Sequence, residues 1–171
     1  ADKYQQVTSS INPVASSHFN FSVLEPMGVV GVIAPQNTSL IGLISILIPV
    51  ITGGNTAIVL ASESLPLCSI TFAEVLNSSD VPGGVVNILT GNLNEMAPTL
   101  ASHMDINALS GEELNIKAFK SDAVENLKRI AVFDSNWMDQ NSQGLWLITE
   151  TQEVKTTWHP IENIGGATSS Y

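Results

Sequence analysis

Cysteine and positive charge are scarce in this sequence of 171 residues. The one cysteine, Cys68, excludes an internal disulfide and a structural zinc site built on cysteine ligands. Six basic side chains stand against sixteen acidic ones, which gives a formal net charge of −10. An acidic surface with no basic stripe repels phosphate backbones, so we expect no nucleic-acid partner.

Long apolar runs are also absent. The longest, residues 40–51, is broken by Pro49 and is shorter than the ~20 residues that cross a bilayer. The opening ADKYQQVTSS lacks the apolar core of a signal peptide. We therefore expect a cytoplasmic protein with no membrane segment. Charged residues make up only 13% of the chain, which indicates that a partner chain covers part of its surface.

Strand-like and helix-like segments alternate along most of the chain. Short β-branched runs bounded by Gly and Pro predict strands, and longer apolar-periodic segments between them predict helices. The predicted strands are 18–25, 27–34, 55–62, 85–91, 106–111 and 128–134, and the predicted helices are 37–54, 64–80, 92–103 and 112–126. This alternation predicts an α/β fold, a Rossmann-like parallel sheet with helices on both faces.

The pattern changes towards both ends. Residues 1–17 are polar and predict a flexible arm before a domain over 18–134. A polar linker loop over 135–144 precedes LWLITETQEVKTTWHP, residues 145–160, which predicts a small β-ribbon. Residues 161–171 form the predicted tail. For the first helix we expect Asn37 or Thr38 at the N-cap and Gly53 and Gly54 after its last turn.

Three fragments in fixed order carry a family resemblance: EPMGVVGVIAPQNTSL, GGNTAIVLASESLPL and VPGGVVNILTG. Together they resemble the coenzyme-binding domain of aldehyde dehydrogenases. ITETQEVKTTWHP resembles the C-terminal strand that this family uses for oligomerisation. The resemblance implies that the catalytic domain, with its nucleophilic cysteine, is missing between the fifth strand and the ribbon.

The resemblance also assigns catalytic positions. It places the oxyanion-stabilising amide at Asn37, although a helix N-cap explains that residue without catalysis. The general-base position falls at Phe133, whose ring cannot accept a proton. Asp134 would point to the opposite face of its strand, and Cys68 is best explained as a core residue on an apolar helical face. We therefore expect no catalysis by the family mechanism.

Coenzyme binding is a separate question. The resemblance implies that NAD or NADP would contact Glu63, Ser110, Gly111 and the loop of Asn37. The position of the family's ribose-binding lysine is Leu60, which cannot hydrogen-bond a ribose. Glu112 and Glu113 follow the pyrophosphate turn and would repel a diphosphate. We expect weak or absent binding, with Glu63 as an exposed loop acid in the alternative interpretation.

The histidines are too scattered to predict a metal site. The three tryptophans, Trp137, Trp146 and Trp158, concentrate in the C-terminal part, where we expect either a binding platform or, as we prefer, residues that cover one face of the ribbon or fill an interface. Three hypotheses remain: a catalytically inactive scaffold or regulatory subunit assembled through the ribbon, a residual NAD(P)-binding module, and part of an oxidoreductase completed by a partner chain. The expected partner is a second copy or a full-length aldehyde dehydrogenase.

Overall fold

The computed structural model describes residues 9–112, 120–133, 136–142 and 144–161. In chain order its strands are β1 (Ser10–Asn12), β2 (His18–Pro26), β3 (Val29–Ile33), β4 (Thr56–Leu60), β5 (Val86–Leu89), β6 (Ala108–Gly111), β7 (Arg129–Val132) and β8 (Gln152–Pro160). Its helices are α1 (Ile41–Thr52), α2 (Leu67–Ser78), α3 (Leu93–Ser102) and α4 (Trp146–Thr149). The described residues form two compact units, Pro26–Gln152 and the segments on either side of it.

The larger unit is built on one parallel sheet with the strand order β5-β4-β3-β6-β7. All four pairings are parallel, and Val30 of β3 pairs with Ala57 of β4 and with Ala108 of β6. The predicted α/β class, with a Rossmann-like parallel sheet, is therefore confirmed. Because the strands run parallel, the loops that follow them meet at one edge, here called the carboxyl edge.

Two hydrophobic layers cover the sheet. On one face, Leu43, Ile46, Leu47 and Val50 of α1 pack on the alternate strand residues Val30 and Val32, with Leu147 of α4 in the same cluster. On the other face, Ala97, Leu100 and Ala101 of α3 pack on Ile33 and Leu109. A Cβ at Gly31 would come within 3.0 Å of Leu100 and Leu109 side chains, so this glycine permits α3 to approach β3 closely.

Helix α1 begins later than predicted. Its N-cap is Leu40, with no side-chain capping bond, so the expected cap at Asn37 or Thr38 is wrong. The cause is tight packing: a Cβ at Gly42 would collide with Thr38 and Pro35, so the chain turns through these residues before the helix starts. The other end is confirmed, since Gly53 is the C-cap and Gly54 follows it with a φ of +86°.

The chain differs from prediction at two further places. Residues 113–119 of the fourth predicted helix, 112–126, lie outside the described residues, and its described end over 120–126 is a turn with a 3-10 segment at Val124–Asn126 rather than an α-helix. The segment predicted to be strand from residue 145 begins with helix α4, and β8 starts only at Gln152. Leu147 and Ile148 are buried there, since an apolar run as short as LWLI fits a helical turn as well as a strand.

The smaller unit is a three-stranded sheet in the order β1-β2-β8. Strands β1 and β2 are antiparallel, with Ile11 opposite Phe21. The predicted arm over 1–17 thus contributes strand β1 within its described part. Strands β2 and β8 run in opposite directions. Glu25, near the end of β2, contacts Lys155 in the first half of β8, and the N–H of Ile161, just after β8, donates to the carbonyl of Ser17, just before β2.

Candidate functional site

The predicted site residues come from the carboxyl edge of the parallel sheet. Asn37 follows β3, Glu63 follows β4, and Ser110 and Gly111 end β6. These strands are neighbours or next-neighbours in the sheet, so the fold brings their ends to one region. The hydrogen bonds made there indicate what each side chain does.

The loop after β3 is held by Gln36, which the sequence did not single out. Its Nε2 donates to the carbonyl of Ala34 at 2.9 Å, and its Oε1 accepts from the N–H of Glu63 at 2.9 Å. Gln36 therefore joins the ends of β3 and β4. The neighbouring Asn37, at the oxyanion position by resemblance, is exposed to solvent.

Glu63 is bound to helix α3. Its Oε1 accepts from Nδ2 of Asn92 at 3.0 Å, and its Oε2 accepts from the backbone N–H of Leu93 at 2.9 Å. Asn92 is the N-cap of α3 and accepts from the N–H of Glu95. The carboxylate thus satisfies a free N–H of the first helical turn and lies at the positive end of the helix dipole. Glu63 is an exposed loop acid with a defined structural partner.

The residues at the end of β6 are buried or hydrogen-bonded within the protein. Ser110 is fully buried and its hydroxyl has no hydrogen-bond partner among the described residues, and the carbonyl of Gly111 accepts from the N–H of Phe133 at 2.9 Å. Glu112 accepts from Nε1 of Trp137 at 3.1 Å. The helix predicted to follow Gly111 falls on residues 113–119, outside the described residues, so the predicted repulsion of a diphosphate by Glu112 stays a prediction. Glu113 lies outside the described residues.

Two positions that the resemblance assigns to chemistry belong to the core. Leu60, at the lysine position, is 4% exposed in the cluster around α3. Phe133, at the general-base position, is 1% exposed and its ring centroid lies 5.4 Å from that of Trp146. Both side chains contribute packing. Asp134 lies outside the described residues.

Cys68 is exposed, and its prediction as a core residue is wrong. Helix α2 buries only Ser69, and the exposed fractions of Leu67 and Val75 are 76% and 54%. Cys68 is one of the residues that line a cavity of about 290 Å³, together with Leu40 and Phe72. The apolar face on which the prediction depended is therefore turned to solvent.

The three tryptophans are divided between the two units. Trp137 and Trp146 pack against the core of the larger unit, beside Glu112 and Phe133. Trp158 belongs to β8 in the smaller unit, where it meets the ring of His18 edge-on at 5.9 Å.

The amino edge of the sheet holds a second residue that sequence reasoning missed, Asn55. It is 2% exposed, and its Oδ1 accepts from the N–H of Gly28 at 3.0 Å. Its Nδ2 donates to the carbonyls of Val50 and Thr151 at 3.2 and 2.9 Å. Gln152 adds a bond from Nε2 to the carbonyl of Gly53. The chain after β7 thus returns from Trp137 at the carboxyl edge to Thr151 at the amino edge.

Strand β8 presents polar and aromatic contacts to β2. Lys155 forms an ion pair with Glu25, which raises the pKa of the lysine through their hydrogen bond, and Thr156 bonds to Ser22 at 2.8 Å. His159 stacks on Phe21 at 5.8 Å. Beyond these contacts β8 is largely exposed, with exposed fractions of 67% at Val154 and 56% at Trp158. In the sheet order β8 is an edge strand.

Other site types find no support in the part of the chain that the structure describes. No group of three or more His, Cys, Asp or Glu side chains there is placed to hold a metal ion. Within the same residues, no helix has the length and apolar character needed to cross a membrane. The pKa of Lys128 is lowered by burial, but the ammonium bonds to the carbonyl of His103 and has a structural role.

Comparisons with known proteins agree with the resemblance. The family model described as "Aldehyde dehydrogenase family" matches residues 1–132. Human aldehyde dehydrogenase 1A1 is 36% identical over 135 residues, which cover 77% of this chain and 26% of the relative. The crystal structure of PnpE in complex with nicotinamide adenine dinucleotide is similar with a TM-score of 0.70 at 27% identity, over 75% of this chain and 27% of that one. A putative aldehyde dehydrogenase from Burkholderia cenocepacia gives 0.69 at 28% identity, with the same coverage. The chain thus spans about a quarter of the length of these relatives.

Proposed function

The chain belongs to the aldehyde dehydrogenase family, and we propose that it is a catalytically inactive member that assembles through strand β8 as a scaffold or regulatory subunit. The expected assembly is a homo-oligomer, and docking on a full-length aldehyde dehydrogenase is the other arrangement considered. The observation that carries the proposal is the position of β8, which among the described strands has a neighbour on one side only and so leaves an open edge; this nine-residue strand is exposed along almost its whole length.

An open edge of this kind favours pairing with another strand. Backbone N–H and C=O groups along an unpaired edge form a template for pairing, and proteins usually shorten, charge or cover such edges. Strand β8 is long, and its only proline, Pro160, is the last residue. The one charged pair at its centre, Lys155 with Glu25, lies within the sheet itself. Pairing with a partner strand would also cover Val154 and Trp158.

The carboxyl edge supports the absence of catalysis. A thiolate, an oxyanion donor and a base are the groups that aldehyde oxidation by the family mechanism needs. The base position holds the buried ring of Phe133, and Cys68 is exposed on α2. The carboxylate of Glu63 is already bound to α3. These contacts favour a structural role for these residues over a catalytic one.

The orientation of β8 identifies which backbone groups to perturb. The N–H of Ile161 donates to Ser17 on the β2 side, so in a regular strand the N–H groups of residues 155, 157 and 159 point the same way. Those of Val154, Thr156 and Trp158 point to the open edge. Pro160 has the same outward parity, and proline is tolerated where the missing N–H would face solvent.

The test is the mass in solution of Val154→Pro and of its control, Val154→Thr. Proline removes one outward donor and leaves the β2–β8 pairing in place, whereas threonine keeps the donor and suits a strand. We expect light scattering to give an oligomer for the unaltered chain and for Val154→Thr, and a shift towards monomer for Val154→Pro. A monomeric unaltered chain at every soluble concentration, alone and mixed with a full-length aldehyde dehydrogenase, would refute the proposed assembly.

A residual NAD(P)-binding module is the second candidate. It is motivated by Glu63, retained at the end of β4, and by the relative solved in complex with nicotinamide adenine dinucleotide. Ligand at ~100 times its dissociation constant stabilises a fold by about 2.7 kcal/mol, which raises the thermal midpoint by several degrees. We expect no such shift with millimolar NAD or NADP. A shift with either would favour this candidate and a search for a chain that completes an active site.

A further inference from the structure

The outer surface of helices α1 and α2 is apolar, and we propose that a second copy of the chain packs on it. This surface, here called the α1–α2 face, is formed by exposed side chains of the two helices: Ile41, Ile48, Leu67, Cys68, Ile70 and Val75. It lies wholly within the larger unit, so the contact is separate from strand β8 and goes beyond assembly through that strand.

Both helices expose apolar side chains where a surface helix normally exposes charged ones. Each helix has twelve residues, and Glu74 is the only charged side chain on either. Ile41 and Ile48 lie on one side of α1, two turns apart, and α2 buries only Ser69. Two helices that are each about 18 Å long and about 10 Å wide present roughly 360 Å². Exposed apolar patches of this size often mark interaction sites.

The α1–α2 face contains a cavity of about 290 Å³. Its apolar walls include Leu40, the N-cap of α1, and Leu67, Phe72 and Val75 of α2. Ile41 follows Leu40 directly and is exposed. Because a two-fold contact uses the same surface on both chains, each copy supplies a cavity and the exposed apolar side chains that fill the cavity of the other.

The distribution of charge favours a second copy as the occupant. With sixteen acidic and six basic side chains, two copies repel each other wherever their acids meet. The α1–α2 face avoids this repulsion, since Glu74 is exposed one turn after Ile70 and does not line the cavity, which places it at the polar rim. Helices that bind a membrane surface combine an apolar face with Lys and Arg, and neither α1 nor α2 has a basic residue.

Cys68 reports directly on whether this face is covered, because it is the only thiol of the chain and is exposed there. Its alkylation by iodoacetamide is followed by mass spectrometry at two protein concentrations. Between ~10 µM and ~1 mM protein we expect the rate constant to fall roughly five-fold or more, because a covered thiol reacts only from dissociated chains. The control is Cys68→Ser combined with Asn94→Cys, whose thiol on the exposed surface of α3 should react equally fast at both concentrations.

Two matched substitutions on α2 locate the contact. Val75→Asp adds a carboxylate beside the cavity in both copies, whereas Asn77→Asp adds the same charge to an exposed position of the same helix that does not line the cavity. We expect Cys68 of Val75→Asp to react fast at both concentrations and Asn77→Asp to behave as the unaltered chain. Circular dichroism checks that both variants are folded.

Alkylation of the unaltered chain at one rate at both concentrations would overturn the proposal, as would equal protection of Cys68 in Val75→Asp and Asn77→Asp. Protection that requires added phosphatidylcholine vesicles would overturn it by assigning the face to a lipid surface. Val154→Pro should keep the protection of Cys68, since its lost donor lies in β8, and loss of protection there would show that the face is no independent contact. Protection retained with no change of mass in Val154→Pro would refute assembly through β8 and leave the α1–α2 contact standing.

Discussion

Asn55 provides the sharpest test of how the larger unit is held together. Its buried amide joins three parts of the fold: the start of β3 through Gly28, the end of α1 through Val50, and the returning chain through Thr151. The carbonyl of Val50 also accepts from the backbone N–H of Asn55, so it keeps a partner when the side chain is removed. In Asn55→Ala, the N–H of Gly28 and the carbonyl of Thr151 lose the bonds that the amide supplied.

The cost follows from those two groups. A buried polar group left without a partner costs about 1–3 kcal/mol. Thr151 is fully buried and Gly28 is half-buried, which places the sum for Asn55→Ala at about 3 kcal/mol. That is a large share of the roughly 5–15 kcal/mol by which domains are stable.

Urea unfolding followed by circular dichroism measures this difference, with Asn77→Ala on the exposed surface of α2 as the control, expected within ~0.5 kcal/mol of the unaltered chain. Limited proteolysis should also cut Asn55→Ala faster between residues 136 and 151. A loss below ~1 kcal/mol with unchanged proteolysis would refute the reasoning, because it would mean that the returning chain is not held by this amide.

Three further predictions concern individual side chains. Phe133→Glu restores a carboxylate at the general-base position but buries it in the core. In urea unfolding we therefore expect a loss of at least ~3 kcal/mol in stability, against ~1 kcal/mol for Phe133→Leu, and we expect no NAD reduction with an aldehyde. A stable, active Phe133→Glu would contradict the core assignment. Glu63→Ala removes the carboxylate from the N-terminus of α3 and should lower the unfolding free energy by about 1 kcal/mol, whereas Glu63→Gln, which keeps one acceptor, should lower it less. Equal stability of these two variants and the unaltered chain would show that the cap is not formed. Burial lowers the pKa of Lys128 from its ordinary value of 10.5, so the unfolded chain holds this proton more tightly than the folded one. The unfolding free energy of the unaltered chain, relative to that of Lys128→Met, should therefore rise as pH approaches 10.5 from below. Parallel curves of unfolding free energy against pH for the two chains would argue against a buried ammonium.

The fold was predictable because its periodic segments are strong and follow one another in order. β-Branched runs between glycines predicted strands β3 to β7, and the alternation predicted their parallel pairing. The local errors have local causes. The start of α1 depends on Pro35 packing against Gly42, and α4 depends on an apolar run that favours neither helix nor strand. Neither cause is visible before the tertiary contacts are known.

The candidate site was predictable only in part. Resemblance identified Glu63, Phe133 and Leu60, and the burial of Phe133 and Leu60 agrees with their apolar character. The partner of Glu63 was not predictable, because Asn92 meets it only when β4 and β5 end side by side in the sheet. The roles of Gln36 and Asn55 likewise arise from contacts between distant segments, for which a single sequence carries no periodic signal.

Amide hydrogen exchange along β8, followed residue by residue by NMR at low and high protein concentration, tests the central claim most directly. The account predicts that the outward amides of Val154, Thr156 and Trp158 exchange fast in dilute solution and slow down as the chain assembles. The inward amides of Lys155 and Thr157 should be protected at both concentrations, because they bond to β2. Outward amides that exchange equally fast at both concentrations, while the mass rises, would contradict assembly through this edge.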